Sequence, residues 1–325
     1  MAELVDGLDR FQRRHPVLGL PLAVVYKFFD DQGNFLAAII TYYAFIAIFP
    51  LLLIGYSILG FVLQGNEGLQ DTIFDSALRQ FPIIGNKFQQ PDGLQGSTPA
   101  VVVGTVAALY GALGLGQASQ NLMNIAWSVP RNSRPNPFLA RLRSLLLLAM
   151  AGLAVLAATL LTALRSNAGM FGADLDATLQ LVIVLGTIAL NAFVFMLLFR
   201  LATARKHSLR AAAPGALAVA LMWQGLQYAG AVYVEHVIGT ADDVNGTFAL
   251  VLGLVALIYI AAVMAVLGVE INVVRTKRLY PRALLTPFTD NVDLTRADRR
   301  AYADYAKSMR HKGFETIRVR FHDRT

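Results

Sequence analysis

Three amides recur at i, i+4 and i+7 in the stretch LYGALGLGQASQNLMNIAW, so that Gln117, Asn121 and Asn124 fall on one helical stripe. The stretch ends an apolar run from Ala100 to Trp127 that is long enough to cross a bilayer. Amides find no hydrogen-bond partner in hydrocarbon, so the stripe must face other helices or a wet cavity. One acid sits in a comparable setting. Glu270, in LGVEINVV, lies just over one turn before Arg275, with Asn272 close by. An acid at the centre of a membrane helix costs about 2.5–3.5 kcal/mol on insertion scales. Two roles fit Glu270: an anchor paired with a neighbouring base, or a proton-coupling or cation-binding acid at the floor of a cavity.

No catalytic set assembles from the remaining reactive side chains. His15, His207, His236, His311 and His322 are scattered over loops, tail and one helix end, without HxxE or HxH spacing, and there is no cysteine. A GxSxG elbow, a P-loop and a GxGxxG after a strand are all missing. GALGLG falls inside an apolar run, where small residues let helices approach closely. Glu235 with His236, and Asp242 with Asp243, sit at a helix end and on a loop, where such groups snorkel or are solvated. No enzyme activity, metal centre or cofactor is expected.

What must position the polar groups is a bundle dissolved in lipid. Hydrophobic residues make up 56% of the 325 residues, charged residues only 15%, and the mean hydropathy is +0.52. The pattern predicts an all-α integral membrane protein with spans over residues 35–63, 100–127, 145–164, 178–201, 211–237 and 247–274. Pro50 lies midway along the first and is expected to kink it. The third is nearly pure Leu and Ala and is expected to face lipid. Residues 1–34 form an N-terminal segment: 1–15 are polar and expected to be poorly ordered, and Pro21 to Asp31 reads as an interfacial amphipathic helix that Gly33 and Asn34 break. In the first loop, Leu69, Ile73, Phe74, Ala77, Leu78 and Phe81 mark a second surface-lying helix. A basic tail occupies residues 275–325; Thr295-x-x-Asp298 opens a helix predicted to reach Lys312 and stop at Gly313. Beyond it Ile317, Val319 and Phe321 alternate as in one short strand. No cleavable signal sequence is evident, so the first span is expected to direct insertion.

Charge supplies the orientation. Of the 28 Lys and Arg, all but Arg79, Lys87 and Arg165 fall in the N-terminal segment, the second and fourth connections or the tail. The positive-inside rule then puts both termini in the cytoplasm. Tyr42, Tyr43, Asn121, Asn124, Glu270 and Asn272 come to lie in the inner half of the membrane, with Gln117, Asn191, Gln224 and Gln227 nearer the midplane. A shared cavity open to the cytoplasm would satisfy the whole set. Taken singly, each amide is better explained as interhelical glue worth about 0.6 kcal/mol; it is the convergence of the whole set at one depth that points to a cavity. A basic rim of Arg131, Arg134, Arg141, Arg143, Arg205, Lys206, Arg210, Arg275, Lys277 and Arg278 would attract anionic headgroups. Membrane lipid is the expected partner. Nucleic acid is not, since anionic lipid accounts for a basic tail beside a membrane; a second copy of the chain or an envelope-assembly partner is a further candidate.

TYYAFIAIFPLLL in the first span, GQASQNLMNIAW in the second, PGALAVALMWQGLQY in the fifth and LGVEINVV closing the sixth resemble the YihY/virulence factor BrkB family, over roughly residues 20–280. Tyr42, Tyr43, Pro50, Asn121, Glu270 and Asn272 sit on the motifs that carry the likeness. ADDVNGTFALVLGLVALIY departs from the family pattern, lacking a Tyr-Gly pair and a later Trp. The resemblance implies a six-span bacterial inner-membrane protein, and the family's association with envelope lipids implies lipid or solute movement. Members were once labelled ribonuclease BN, an activity that the lack of a metal cluster argues against carrying over. The expectation is a transporter or flippase-like protein moving an amphiphile, anionic lipids included, through a cavity open to the cytoplasm. The alternative is a non-transporting scaffold for envelope assembly, which a dry and fully paired interior would favour.

Overall fold

The computed structural model describes residues 2–62, 98–166, 177–205, 207–238, 243–287 and 289–322. Nearly all secondary structure there is α-helix: α1 (Ala2–Arg14), α2 (Leu20–Asp30), α3 (Gly33–Val62), α4 (Thr98–Ala126), α5 (Pro137–Ser166), α6 (Ala177–Ala202), α7 (Leu209–Tyr233), α8 (Asp243–Lys277) and α9 (Arg296–Ser308). Helices α3 to α8 close a ring, each packing on the next and α8 returning to α3. Among the described residues, four stretches are long and apolar enough to cross a membrane, Pro137–Ala158, Leu181–Ala202, Leu209–His236 and Phe248–Lys277. Helices α3 and α4 run for 30 and 29 residues in the places predicted for the first two spans, although the described apolar part of α3, Gly33–Ile48, is shorter.

The ring holds together through its small residues. Val266, Val269 and Val273 recur at helical spacing on α8 and are fully buried, with Ala212, Ala216 and Val219 of α7 in the same core. The two backbones touch at Gly215 and Gly268, where a Cβ added to Gly215 would lie 1.8 Å from the Gly268 carbonyl oxygen. GALGLG works the same way. Gly111 lies against the backbone of Ala47 and Gly114 against the ring of Tyr43, which seats α4 on α3.

Several expectations are corrected. The segment expected to be poorly ordered is helical, because its polar side chains find partners far along the chain: Gln12 Nε2 donates to the Arg282 carbonyl (2.5 Å) and Arg13 Nη2 to that of Asp293 (3.1 Å). The break after α2 falls at Asp31 and Gln32, with Gln32 at φ 55°, and Gly33 already begins α3. Helix α5 starts at Pro137 rather than Leu145. Asn136 Oδ1 accepts from the Leu139 N–H (2.9 Å) and Pro137 needs no donor partner, so Arg141 and Arg143 are helical rather than in a loop. The box Thr295/Asp298 caps α9 reciprocally, but the helix ends at Ser308. Ile317, Val319 and Phe321 form no strand, since no second strand among the described residues pairs with them. Helix α3 continues through Pro50 to Val62. The proposed surface helix from Leu69 to Phe81 lies outside the described residues, as does Lys206.

Candidate functional site

The site forms where α2 crosses the end of α8. Lys27 and Asp31 are one turn apart on the buried face of α2 and form an ion pair. Lys27 Nζ also lies 3.8 Å from Glu270 Oε2 on α8. Glu270 has no exposed surface, no N–H or hydroxyl group among the described residues donates to it, and its carboxyl lies against that of Asp31. Two carboxyl groups therefore share one ammonium in a place where an uncompensated charge costs several kcal/mol. That surplus of acid is what a proton or a cation would neutralise.

Electrostatics on α2 follow from this crowding. Burial pulls Lys27 down, but Glu270 and Asp31 together lift it above its ordinary 10.5. Burial pushes the Asp31 carboxyl above its ordinary 3.8 against the pull of Lys27. The folded chain then holds the Asp31 proton more tightly than the unfolded chain does. Stability is lost as pH rises through the raised value and regained as pH falls towards 3.8. The Lys27 contribution is lost only above 10.5. Amide exchange in α2, corrected for its intrinsic rate, is expected to slow as pH falls from neutral, and Asp31→Asn to alter that dependence. Protection that is flat with pH in the wild type would refute the assignment.

A second ionic centre adjoins the first through the neighbouring Asp30. Arg282, fully buried, pairs through Nε with Asp298 of α9 and through Nη2 with Asp30 (3.0 Å), its guanidinium lying 5.9 Å from the Tyr26 ring centroid and 5.5 Å from that of Tyr302. Burial opposes its charge, but Asp30 and Asp298 together hold Arg282 above its ordinary value. The backbone around it is equally tied: the Ala283 N–H donates to Asp298 Oδ2 (3.1 Å), the Leu284 N–H to Asp9 Oδ1 (3.1 Å) and the Tyr26 hydroxyl to the Leu284 carbonyl. Lys277 Nζ adds a link from the α4 end (Trp127 carbonyl, 2.9 Å) to Asp304 of α9 (3.0 Å). The tail is thus packed onto α1, α2 and the bundle.

The ten residues expected to line one cavity are dispersed. Asn272 Oδ1 accepts from the Gly215 N–H (2.7 Å) and Asn124 Oδ1 from the Ala204 N–H (3.1 Å), and both side chains are buried. Asn121 is exposed and accepts from Arg134 Nη1 (3.2 Å); Gln117 is exposed on the same stripe. Tyr42 is 55% exposed while Tyr43 packs on Gly114 and Tyr110. Asn191 on α6 and Gln224 and Gln227 on α7 are half-buried. Of the basic rim, Arg131, Arg141, Arg205, Arg210, Arg275 and Arg278 are exposed, whereas Lys277 is one of the ties just described. A cavity of about 560 Å³ does open, but between α5 and α6, lined by Arg143, Met150, Leu197, Arg200, Leu201 and Arg205.

Sequence reasoning missed Lys27, Asp30, Asp31, Arg282, Asp298, Gln120 and Arg200. One signal was available: Lys27 and Asp31 stand at i, i+4 beside the buried Ala23, Val24 and Phe28, a polar pair on an apolar face. Gln120, a fourth amide of α4, bonds the Ala140 carbonyl and Ser144 Oγ of α5 (both 2.9 Å).

Residues 24–290 match the family described as Virulence factor BrkB. The chain is similar to the inner membrane protein YhjD of Escherichia coli (strain K12), 30% identical over 105 residues. That match spans 31% of this chain and 31% of the relative. No solved structure matches it. The matched region takes in α3 to α8 together with Lys27, Asp30, Asp31, Glu270 and Arg282. This is a multi-pass membrane protein, and it belongs to the Virulence factor BrkB family.

Proposed function

We propose that the chain crosses the bacterial inner membrane six times with both termini in the cytoplasm, and that it moves an amphiphile across that membrane with Glu270 as the acid coupling movement to a proton. Helices α3 and α4 supply the two spans beyond those four stretches, and the segregation of Lys and Arg supports the orientation. One observation carries the functional reading. Glu270 lies inside a membrane helix, fully buried, against the carboxyl of Asp31 and beside a lysine already paired with that aspartate. A structural anchor would be matched to its base; an acid left over is a group available for proton uptake. Taking up a proton would neutralise the surplus negative charge that Asp31 and Glu270 place around Lys27.

Proteoliposomes with labelled lipid and an imposed pH gradient test this. The wild type is expected to move lipid in response to the gradient, and Glu270→Gln to fall to the background of empty vesicles. Equal movement by both would remove Glu270 from the mechanism. A second reading, a scaffold for envelope assembly, is favoured by the pairing of the buried Asn124, Asn272 and Gln120 with protein groups and by the firmly fastened tail. It takes the lead if the wild type moves nothing across a panel of lipids and solutes.

A further inference from the structure

The cavity between α5 and α6 is lined by three arginines and no acid. Arg143 comes from the early turns of α5, Arg200 from the last turn of α6, and Arg205 from the segment that follows. None of the three enters an ion pair among the described residues. Arg143 Nη1 is closed off from solvent and has no hydrogen-bond partner. A guanidinium donor left unmatched out of water is costly, and three cations at one mouth repel one another. An anion resolves both.

The rest of the lining narrows the class. Met150 lies two turns beyond Arg143, about 10 Å further along α5, and Leu197 and Leu201 line the same cavity from α6. A free inorganic anion would need the arginines and nothing more. A molecule with a phosphate at one end and an acyl chain at the other uses both halves, because guanidinium groups grip phosphate oxygens in pairs and basic pockets between membrane helices suit anionic headgroups.

We infer that this pocket binds a phosphate-bearing amphiphile, with its phosphate on Arg143, Arg200 and Arg205 and its chain along Met150 and Leu197. The inference rests on the amphiphile reading above for its biological use, though not for the binding itself.

The test is equilibrium binding to the full chain in phosphatidylcholine nanodiscs, titrated with fluorescent phosphatidylglycerol and, separately, challenged with orthophosphate. Arg143→Gln and Arg200→Gln are each expected to weaken binding about fivefold, and the double variant about twenty-five-fold. Arg318→Gln removes one charge from the exposed end of the tail and is expected to bind as the wild type does. Arg200 is exposed, so its variant reports on the site even if Arg143→Gln folds poorly. Wild-type binding by the pocket variants overturns the assignment, as does an equal loss in Arg318→Gln, which would mean general surface attraction. Displacement of the lipid by orthophosphate at matched concentration would make the ligand a free phosphate anion and overturn the amphiphile. Binding without movement would sink the transport reading alone, and movement of lipid by a chain whose pocket variants bind normally would sink only the pocket.

Discussion

Arg282→Met is expected to unfasten the tail, lowering the stability of its docking by about 3–5 kcal/mol. The substitution keeps apolar bulk against Tyr26 and Tyr302 but leaves Asp298, which has no exposed surface, and Asp30 without their counter-ion. Amide protection in α9 and α1 should fall by about a hundredfold or more, at tenfold for each 1.4 kcal/mol. Because the cost comes from stranded carboxylates, Arg282→Met combined with Asp298→Leu should recover part of the loss. Unchanged protection in the single variant, or a double variant worse than the sum of its parts, would show that the ionic centre does not hold the tail.

Gly215→Ala should be nearly as damaging in the bundle itself. The added Cβ would lie 1.8 Å from the Gly268 carbonyl oxygen and 2.6 Å from Asn272 Nδ2. A helix carbonyl cannot swing aside, so α7 and α8 must separate. Overpacking costs about 1–3 kcal/mol where side chains can yield, and a backbone clash belongs at the top of that range. Separation also breaks the Gly215 N–H to Asn272 bond (2.7 Å), worth about 1 kcal/mol. Thermal unfolding of the full chain in detergent should register a clear loss for Gly215→Ala. Gly225 on the same helix has nothing within 4 Å of an added Cβ, so Gly225→Ala should be neutral or slightly stabilising. Equal effects at the two positions would dismiss the close approach.

The helices were largely legible in the sequence, because length, apolarity and period are local properties. The fifth and sixth predicted spans, residues 211–237 and 247–274, compare with Leu209–Tyr233 and Asp243–Lys277. Partnership was not legible. Glu270 was read beside Arg275 or some other base, and the base that reaches it is Lys27, near the opposite end of the chain. No period in the sequence encodes such a pairing. The dispersal of Tyr42 and Tyr43 is different. Neighbours on a helix point about 100° apart, so the two could not both face one cavity, and only Tyr43 turns inward. The early start of α5 rests on a local cap, Asn136 before Pro137, which brings Arg141 and Arg143 into the helix ahead of the apolar run from Leu145.

The ionic centres also impose an order on biosynthesis. Asp30 and Arg282 are 252 residues apart, and Lys27 and Glu270 nearly as far. A ribosome delivers Lys27, Asp30 and Asp31 to the membrane surface long before their partners exist. Helix α2 must wait at the interface, where water can hydrate its charges, while the later helices are threaded. Its burial becomes affordable only once α8 has been inserted and the tail has been released. The junction thereby records completion: a chain stalled or cut before Arg282 would display Asp30 without its counter-ion at the bilayer surface, a visible mark for membrane quality control.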